Sequence, residues 1–377
     1  MRVAIQIEYF DPERGGAEVY TELLARYLLE QGHQVEVMAM NWAHAPEGIE
    51  MVPVPVRSPA KWQRWIEFSN GCAALVRQRK PDRVIAMTKG GAMDIFLPHS
   101  GTVIGDQRQN VMRQQGVLAK LVKQLSMNFG IRAVVARRLD KQSYKTAKRV
   151  IALSRMVRQD IIRYHQVSED QIRLIYNGVD TKIFHPDLRQ EIGLSFRELL
   201  GIGRQETVFA IVAQDFSRKG VDWLIRAAAR LKNRQARWLV AGKGRIGRFR
   251  RLARRCGVEE KFEFLGPVRP IQQVYAAADV YVHPAWYDPC SLVVLEAFAM
   301  GLPVVTTAFN GAGELITEGI EGFVVPRPDS LNELADRMEK LLDPIARMRM
   351  GQAARALAER NTWLKHYRAI EELLEEV

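Results

Sequence analysis

Cysteine is scarce in this 377-residue chain, which contains only Cys72, Cys256 and Cys290. An odd number of widely separated cysteines, with no CxxC pair, argues against a disulfide framework and against a paired-thiolate zinc site. The pattern predicts reduced thiols and a cytoplasmic location. Cys290 is expected to be a small buried residue rather than a nucleophile.

Long apolar runs and the common ligand signatures are also missing. No stretch of about eighteen apolar residues occurs, so the sequence predicts no membrane-spanning helix. The opening MRVAIQIEYF predicts a strand rather than a signal peptide. Neither an Asp-x-Asp pair nor a cluster with metal-ligand spacing is present, so we expect no metal ion. The glycines before the first helix lack the GxGxxG spacing of a dinucleotide site, which disfavours an NAD-dependent oxidoreductase. The absence of a Cys/His finger or an aromatic RNP strand argues against nucleic acid as a partner.

What is present is a globular α/β pattern. A content of 47% hydrophobic and 26% charged residues is typical of a folded protein, and the length allows two separate cores. A strand, a helix and a second strand open the chain, and the alternation restarts after Tyr-Asn-Gly-Val-Asp at 176–180. We therefore expect an N-terminal domain at residues 1–172, a C-terminal domain at 173–359, and a final amphipathic helix within 360–377.

Positive charge is in excess and unevenly distributed. The formal net charge is +12, and in residues 103–150 the many Lys and Arg residues are opposed only by Asp106 and Asp140. Such a segment is typical of a protein that meets an anionic membrane or a phosphorylated substrate. A separate helix places Trp62 and Trp65 on one face, which fits either a membrane interface or a core-facing pair.

The stretch Val282–Thr306 carries the strongest functional pattern, because it predicts a strand, a loop, a helix near 291–300 and a buried strand. Asp288 lies just before the helix and Glu296 within it, with seven residues between them. The helix amino end offers unpaired amides that favour a phosphate, while carboxylates can accept from hydroxyls. A phosphorylated sugar fits both; an ordinary helix with two solvated acids is the alternative. The amides concerned belong to Cys290, Ser291 and Leu292.

Other candidate residues follow predicted strands. Arg218 and Lys219 precede a helix, where the dipole disfavours cations unless an anion lies between them. Gly15 and Gly16 precede the first helix and permit close approach to a phosphate or sugar, although a simple turn would use the same glycines.

His99 follows a strand at an edge where doubly wound sheets bind ligands, and a loop histidine without such a role is the alternative. Lys89 and Asp94 share this segment.

The central stretch resembles the signature of the retaining glycosyltransferases of family 4: a carboxylate at Asp288, seven residues, Glu296, an apolar helix and Gly-x-Pro-Val at 301–304. Within that family the chain is most similar to the lipopolysaccharide core glucosyltransferase I group. The resemblance implies an α/β GT-B fold, with two Rossmann-like domains facing across a cleft and a C-terminal helix that crosses back to the N-terminal domain. The family usually has Glu at both acidic positions, whereas here the first is Asp288.

The resemblance also implies roles for the candidate residues. Glu296 would bind the ribose hydroxyls, and Asp288 and His99 would meet the donor sugar. Arg218 and Lys219, with the amides at the helix start, would hold the diphosphate in place of a metal ion. The remaining positions are Gly15 and Gly16, which would lie against the diphosphate, and Val268, whose backbone would contact the nucleotide base.

The implied reaction is transfer of a hexose with retention of configuration. Our first choice is glucose from UDP-glucose, moved onto the inner core of lipopolysaccharide without a metal ion or any cofactor beyond the nucleotide sugar. The N-terminal domain would bind this glycolipid acceptor, and the enzyme would attach peripherally to the cytoplasmic face of the inner membrane. Two alternatives remain: hexosyl transfer to another cell-envelope or exopolysaccharide glycan, and a non-enzymatic basic protein that binds membranes or nucleic acid. Arg218 and Lys219 together with Glu296 favour the enzyme, because a binding protein does not need them.

Overall fold

The computed structural model of the chain describes residues 1–231 and 235–377. These residues divide into two compact units, Met1–Tyr176 with His366–Val377, and Asn177–Lys365. Each unit is built on a parallel sheet with helical connections, as the alternating strand and helix patterns predict. None of the described helices combines the length and apolarity needed to cross a bilayer.

The first unit contains a parallel sheet, and its described strands and helices account for the N-terminal pattern. The strands are β1 (Arg2–Gln6), β2 (Tyr9–Phe10), β3 (Gln34–Ala39), β4 (Asn41–Trp42), β5 (Ile49–Pro53), β6 (Arg83–Ala86), β7 (Ile95–Phe96), β8 (Arg149–Ala152) and β9 (Ile172–Leu174). The helices are α1 (Gly16–Glu30), α2 (Lys61–Arg79), α3 (Val103–Met112), α4 (Val117–Phe129), α5 (Ile131–Thr146) and α6 (Arg155–His165). The main sheet has the order β5-β3-β1-β6-β7-β8-β9, and β2 pairs with β4 separately.

The second unit repeats the doubly wound arrangement. Its described strands are β10 (Thr207–Ala213), β11 (Ala236–Gly242), β12 (Phe262–Gly266), β13 (Val280–His283), β14 (Val304–Thr307) and β15 (Gly322–Val325). The helices are α7 (Leu194–Leu199), α8 (Val221–Ala228), α9 (Ile246–Arg255), α10 (Gln272–Ala277), α11 (Leu292–Ala299), α12 (Leu331–Lys340) and α13 (Pro344–Glu359). A π-helical turn (Arg189–Gly193) precedes α7. The sheet order is β12-β11-β10-β13-β14-β15, so the order reverses between β10 and β13.

The last helix, α14 (Trp363–Glu375), belongs to the first unit from His366 onward. Its buried face includes Tyr367 and Ile370, and Arg83 at the start of β6 donates to the Leu374 carbonyl at 2.8 Å. The predicted boundary between residues 172 and 173 cuts through β9. That strand pairs in parallel with β8, so the residues up to Tyr176 group with the first unit.

Asp279 forms a buried ion cluster at the amino end of β13. Its carboxylate accepts from Arg197 of α7 at 2.7 Å and from the Val208 amide at 2.8 Å, and it also pairs with Arg189. Burial alone would raise the pKa of Asp279, but the two guanidinium groups outweigh that effect and hold the pKa below its ordinary value. The cluster therefore fixes the helical segment before β10 against two central strands.

We expect Asp279→Ala to destabilise the second unit, because it leaves the largely buried guanidinium of Arg197 and the partly exposed one of Arg189 without their carboxylate. The free energy of unfolding should fall by about 3–5 kcal/mol, measured by urea denaturation followed through tryptophan fluorescence. The control is Glu259→Ala, which breaks an ion pair with Arg254, whose side chain is 68% exposed. An exposed pair contributes about 0–1 kcal/mol, so equal losses in the two variants would contradict this account.

Candidate functional site

The strand order of the second sheet predicts where a ligand binds. In a doubly wound sheet the loops after the two strands flanking the reversal diverge and leave a crevice at their carboxyl ends. Here those strands are β10 and β13, which pair in parallel. The loop 214–220 follows β10 and contains the expected Arg218 and Lys219, and the loop 284–291 follows β13 and contains the expected Asp288. Topology thus brings together residues separated by about seventy positions in the chain.

The loop after β10 is a tight turn that requires a glycine. The Asp215 carboxylate accepts from the Arg218 amide at 3.1 Å, and the Trp286 amide donates to the Arg218 carbonyl at 3.0 Å. Gly220 then adopts a left-handed conformation (φ +79°), and a Cβ there would overlap the carbonyl oxygen of Pro284. A side chain at Gly220 would therefore both strain the backbone and separate the two loops.

Lys219 and Asp288 meet as a buried ion pair between the two loops. His283, at the end of β13, also contacts the same carboxylate oxygen, with its Nε2 at 3.1 Å. Burial by itself would raise the pKa of Asp288, but Lys219 and His283 outweigh it and hold the pKa well below its usual range. Burial lowers the pKa of His283, which favours its neutral form. Asp288 is therefore ionised, and its negative charge holds Lys219 at the site.

Arg218 contributes a second cation at the amino end of α8. Its Nε is buried and has no hydrogen-bond partner among residues 1–231 and 235–377. A buried donor without an acceptor costs free energy, and a cation at this end of a helix is also disfavoured by the dipole. An anionic ligand at this position would relieve both costs.

The amino end of α11 is held by Asn310, a residue that the sequence patterns did not reveal. The Asn310 Oδ1 accepts from the Ser291 amide at 3.3 Å and from the Ala312 amide at 3.1 Å. The Cys290 carbonyl accepts from the Asn177 side chain at 2.8 Å. Burial raises the pKa of the Cys290 thiol, which agrees with a small buried residue rather than a nucleophile. Leu292 begins the helix itself.

Glu296 lies in the second turn of α11, in an environment unlike that of Asp288. Tyr275 of α10 donates its hydroxyl to the Glu296 Oε2 at 2.6 Å. Burial raises the pKa of Glu296 to about 7, and the Tyr275 hydrogen bond only partly offsets that effect. The two acids therefore differ at neutral pH, because Asp288 is fully ionised and Glu296 is close to half-protonated.

The remaining expected residues occupy separate positions. Gly15 is the residue before α1, and Gly16 is its first residue. His99 follows β7 in the first unit, and its ring centroid lies 4.7 Å from that of Tyr20. Val268 is half-buried in the loop after β12. Asp94 accepts from the Val84 amide at 2.9 Å and pairs with Lys148, which gives it a structural role.

No group of three His, Cys, Asp or Glu side chains that could hold a metal ion occurs within the described ranges. The charges that converge between β10 and β13 are those of Arg218, Lys219 and Asp288. These groups suit an anionic ligand that also carries hydroxyls, because cations and a carboxylate lie side by side.

Comparison with known proteins agrees with this geometry. A family model described as Glycosyltransferase Family 4 matches residues 14–183, and one described as Glycosyl transferases group 1 matches residues 206–344. The chain is 31% identical over 402 residues to the D-inositol 3-phosphate glycosyltransferase of Corynebacterium glutamicum (strain R), covering 96% of this chain and 94% of that protein. The chain therefore belongs to the glycosyltransferases that these two family models describe.

The glycosyltransferase is also similar to the lipopolysaccharide glucosyltransferase WaaG of Escherichia coli (strain K12), at 26% identity over 356 residues, covering 92% of this chain and 91% of that protein. The crystal structure of WaaG, a glycosyltransferase involved in lipopolysaccharide biosynthesis, superposes with a TM-score of 0.82 at 24% identity, covering 99% of both chains. The fold class predicted from the sequence, GT-B with two Rossmann-like domains, is thereby confirmed.

The structure of the glycosyltransferase adds residues that sequence patterns missed. His283, Asn310 and Tyr275 each contact a residue of the central stretch, at Asp288, Ser291 and Glu296 respectively. His283 could have been suspected, because it ends a strand beside the reversal in strand order. No spacing in the sequence points to Asn310 or Tyr275, because their contacts depend on how elements far apart in the chain pack together.

Proposed function

We propose that this glycosyltransferase transfers glucose from UDP-glucose to the inner core of lipopolysaccharide, with retention of configuration and without a metal ion. Similarity to a lipopolysaccharide glucosyltransferase over 92% of the chain supports the choice of donor and acceptor. The observation that carries the chemistry is the buried Lys219–Asp288 pair beside the Arg218 guanidinium, between the loops that follow β10 and β13.

The donor would bind in the second unit with its charges matched. Its diphosphate would lie against Arg218, Lys219 and the amides at the start of α11, where the helix dipole adds a favourable field. The ribose hydroxyls would donate to Glu296, and the sugar hydroxyls to Asp288. Within the first unit, Gly15, Gly16 and the imidazole of His99 are the residues that we propose for recognition of the donor. The Val268 backbone would contact the base.

Arg218 and Lys219 would stabilise the diphosphate as it leaves. As the bond from the anomeric carbon to the phosphate oxygen breaks, negative charge grows on that oxygen, and fixed cations in a partly buried site stabilise it. The acceptor hydroxyl would attack on the same face, and its proton would pass to the departing phosphate oxygen, so the configuration is retained. The buried carboxylate Asp288 is already paired with Lys219 and His283, which suits a binding role better than a covalent one.

Binding of the acceptor is assigned to the first unit. A phosphorylated glycolipid would be attracted by the basic segment 103–150, and the enzyme would work at the cytoplasmic face of the inner membrane. Another cell-envelope or exopolysaccharide glycan is the alternative acceptor, because the family also includes enzymes such as the D-inositol 3-phosphate glycosyltransferase.

Helix α4 gives membrane attachment a more specific basis than charge alone. Its exposed apolar side chains are Val117 (77%), Leu118 (75%), Leu121 (56%), Val122 (58%), Leu125 (57%) and Phe129 (77%). Lys120 and Lys123 lie among them. An amphipathic helix of this kind lies in the interface plane of a membrane. By contrast, Trp62 and Trp65 are both half-buried, and Lys61 and Lys89 lie over the ring of Trp65. The proposed membrane contact is therefore α4 rather than the tryptophans.

The phosphate role is tested by Arg218→Ala, with Arg251→Ala on the exposed face of α9 as the control. Loss of a fixed donor to the leaving group should lower kcat by about 100- to 1,000-fold, while the control keeps full activity. Lys219→Ala is less clean, because it also removes the partner of Asp288. Wild-type turnover by Arg218→Ala would contradict the diphosphate role.

The metal-free scheme is tested by assaying the wild-type enzyme in EDTA, which should leave its activity intact. Loss of activity in EDTA would contradict this scheme.

Glu296 should make donor binding depend on pH. If the ionised carboxylate accepts from the ribose, affinity rises as Glu296 loses its proton, by about tenfold between about pH 6 and about pH 8 for a pKa near 7. Calorimetric titration with UDP-glucose measures this, because its diphosphate is esterified at both ends and does not titrate there. Glu296→Gln should bind about tenfold to a hundredfold more weakly at the upper pH and show no such rise. A variant with the wild-type pH dependence would exclude Glu296 as the titrating group.

Membrane attachment should depend on both the apolar and the basic residues of α4. We expect Leu121→Gln combined with Leu125→Gln to weaken partitioning to anionic vesicles by at least about tenfold, since two leucines lose their burial in the interface. Leu199→Gln, which changes a leucine that is 78% exposed in the second unit, is the matched control. Binding should also fall as salt rises. Liposome flotation is the measurement, and equal binding to neutral and anionic vesicles would contradict the proposal.

A further inference from the structure

Tyr20 of α1 lies at the centre of a buried group of rings in the first unit. Its side chain is fully buried. The ring centroid lies 4.7 Å from that of His99 at an interplanar angle of 53°, and 5.3 Å from that of His366 in an edge-on arrangement. His366 belongs to α14, so one tyrosine joins the first helix, the candidate His99 and the last helix of the chain.

The hydrogen bonds of His366 fix both its tautomer and the direction of the Tyr20 hydroxyl. The Nδ1 of His366 lies 2.6 Å from the Tyr176 carbonyl, which can only accept, so Nδ1 carries the proton. Burial lowers the pKa of His366 to about 4, so the ring is neutral at physiological pH and its Nε2 must accept. The Tyr20 hydroxyl, 2.6 Å away, therefore donates to Nε2.

We propose that Tyr20 and His366 are positioning residues, which hold the His99 imidazole in the orientation that sugar transfer requires. The hydrogen bond to His366 fixes the Tyr20 ring, and the fixed ring packs against the tilted ring of His99. Catalytic groups lose efficiency when they are displaced by a fraction of their contact distance, because reaction requires aligned partners. Helix α1, which contains Tyr20, begins at Gly16. The contact between Tyr20 and His99 therefore also holds His99 at a fixed position relative to Gly15 and Gly16.

This inference rests on the proposed function, because it assumes that His99 meets the donor sugar. It adds a role for the C-terminal helix, whose residue His366 is buried and has both ring nitrogens hydrogen-bonded within the protein. A purely structural role for the ring group would predict that any lost contact between α1 and α14 has the same effect.

The chain provides a matched pair of variants to separate these possibilities. Tyr27, seven residues after Tyr20 on α1, also donates its hydroxyl to α14, at 2.7 Å from the Glu371 Oε2. Its ring packs against Tyr367. Tyr20→Phe and Tyr27→Phe thus delete one hydroxyl each from the same pair of helices, but only the first deletion reaches His99.

We expect Tyr20→Phe to lower kcat by about threefold to tenfold, the effect of one neutral hydrogen bond, with the KM for UDP-glucose unchanged. Tyr27→Phe should leave kcat unchanged even if it lowers the melting temperature equally. The imidazole NMR signals of His99 should shift in Tyr20→Phe and not in Tyr27→Phe. A purely structural role of the contacts between α1 and α14 would not produce this difference between the two variants. Equal kcat values in the two variants would overturn the proposal.

Variants of His366 provide the rescue. His366→Gln can place an acceptor near the position of Nε2 and so keep the Tyr20 contact, whereas His366→Asn reaches only the position of Nδ1. His366→Gln should therefore retain more turnover than His366→Asn, and the reverse order would overturn the proposal. His99→Ala separates the two levels of inference. If it turns over slowly while all Tyr20 and His366 variants match wild type, only the positioning role fails; if it turns over normally, the proposed role of His99 fails as well.

Discussion

The buried ion pair between Lys219 and Asp288 joins the two loops that flank the reversal of the second sheet. Removing both charges from water is costly, and the pair persists only because each supplies the other's counter-charge and His283 adds a further contact. Burial lowers the pKa of Lys219, and the Asp288 carboxylate only partly offsets that effect. An acid at position 288 thus favours the cationic form of Lys219, which an anionic ligand needs.

The two acids of the central stretch illustrate how environment, rather than residue type, assigns a role. Asp288 lies beside a cation and a histidine, so it stays ionised at any physiological pH. Glu296 lies beside the Tyr275 hydroxyl and has no cation among its contacts with the described residues, so its pKa is raised to about 7. A carboxyl poised in this way accepts from ligand hydroxyls at little cost, since ligand binding completes its ionisation.

The helices and strands could be predicted from the sequence, but several of the contacts between them could not. The expected helix near residues 291–300 is α11 (Leu292–Ala299), and the apolar runs that predicted parallel strands became β10, β13 and β14. Their predictability follows from local signals: apolar runs, a glycine stop and a helix start. The predicted domain boundary falls inside β9, because an isolated strand pattern does not reveal which sheet the strand joins. Contacts such as Asn310 with Ser291 and Tyr275 with Glu296 depend on packing between elements and left no spacing to detect.

Exposure is the property for which local pattern is weakest. The apolar residues of α4 have a helical period that fits a core-facing helix as well as an interfacial one, and only the fold shows that Leu118 and Phe129 remain 75% and 77% exposed. The opposite holds for Tyr20, since a tyrosine near the start of a helix gives no sign that it will be enclosed by His99 and His366. In both cases the exposure of a side chain depends on which elements from elsewhere in the chain pack against it. For Tyr20 that element is the last helix, α14, so the orientation of His99 depends on a segment more than two hundred residues away.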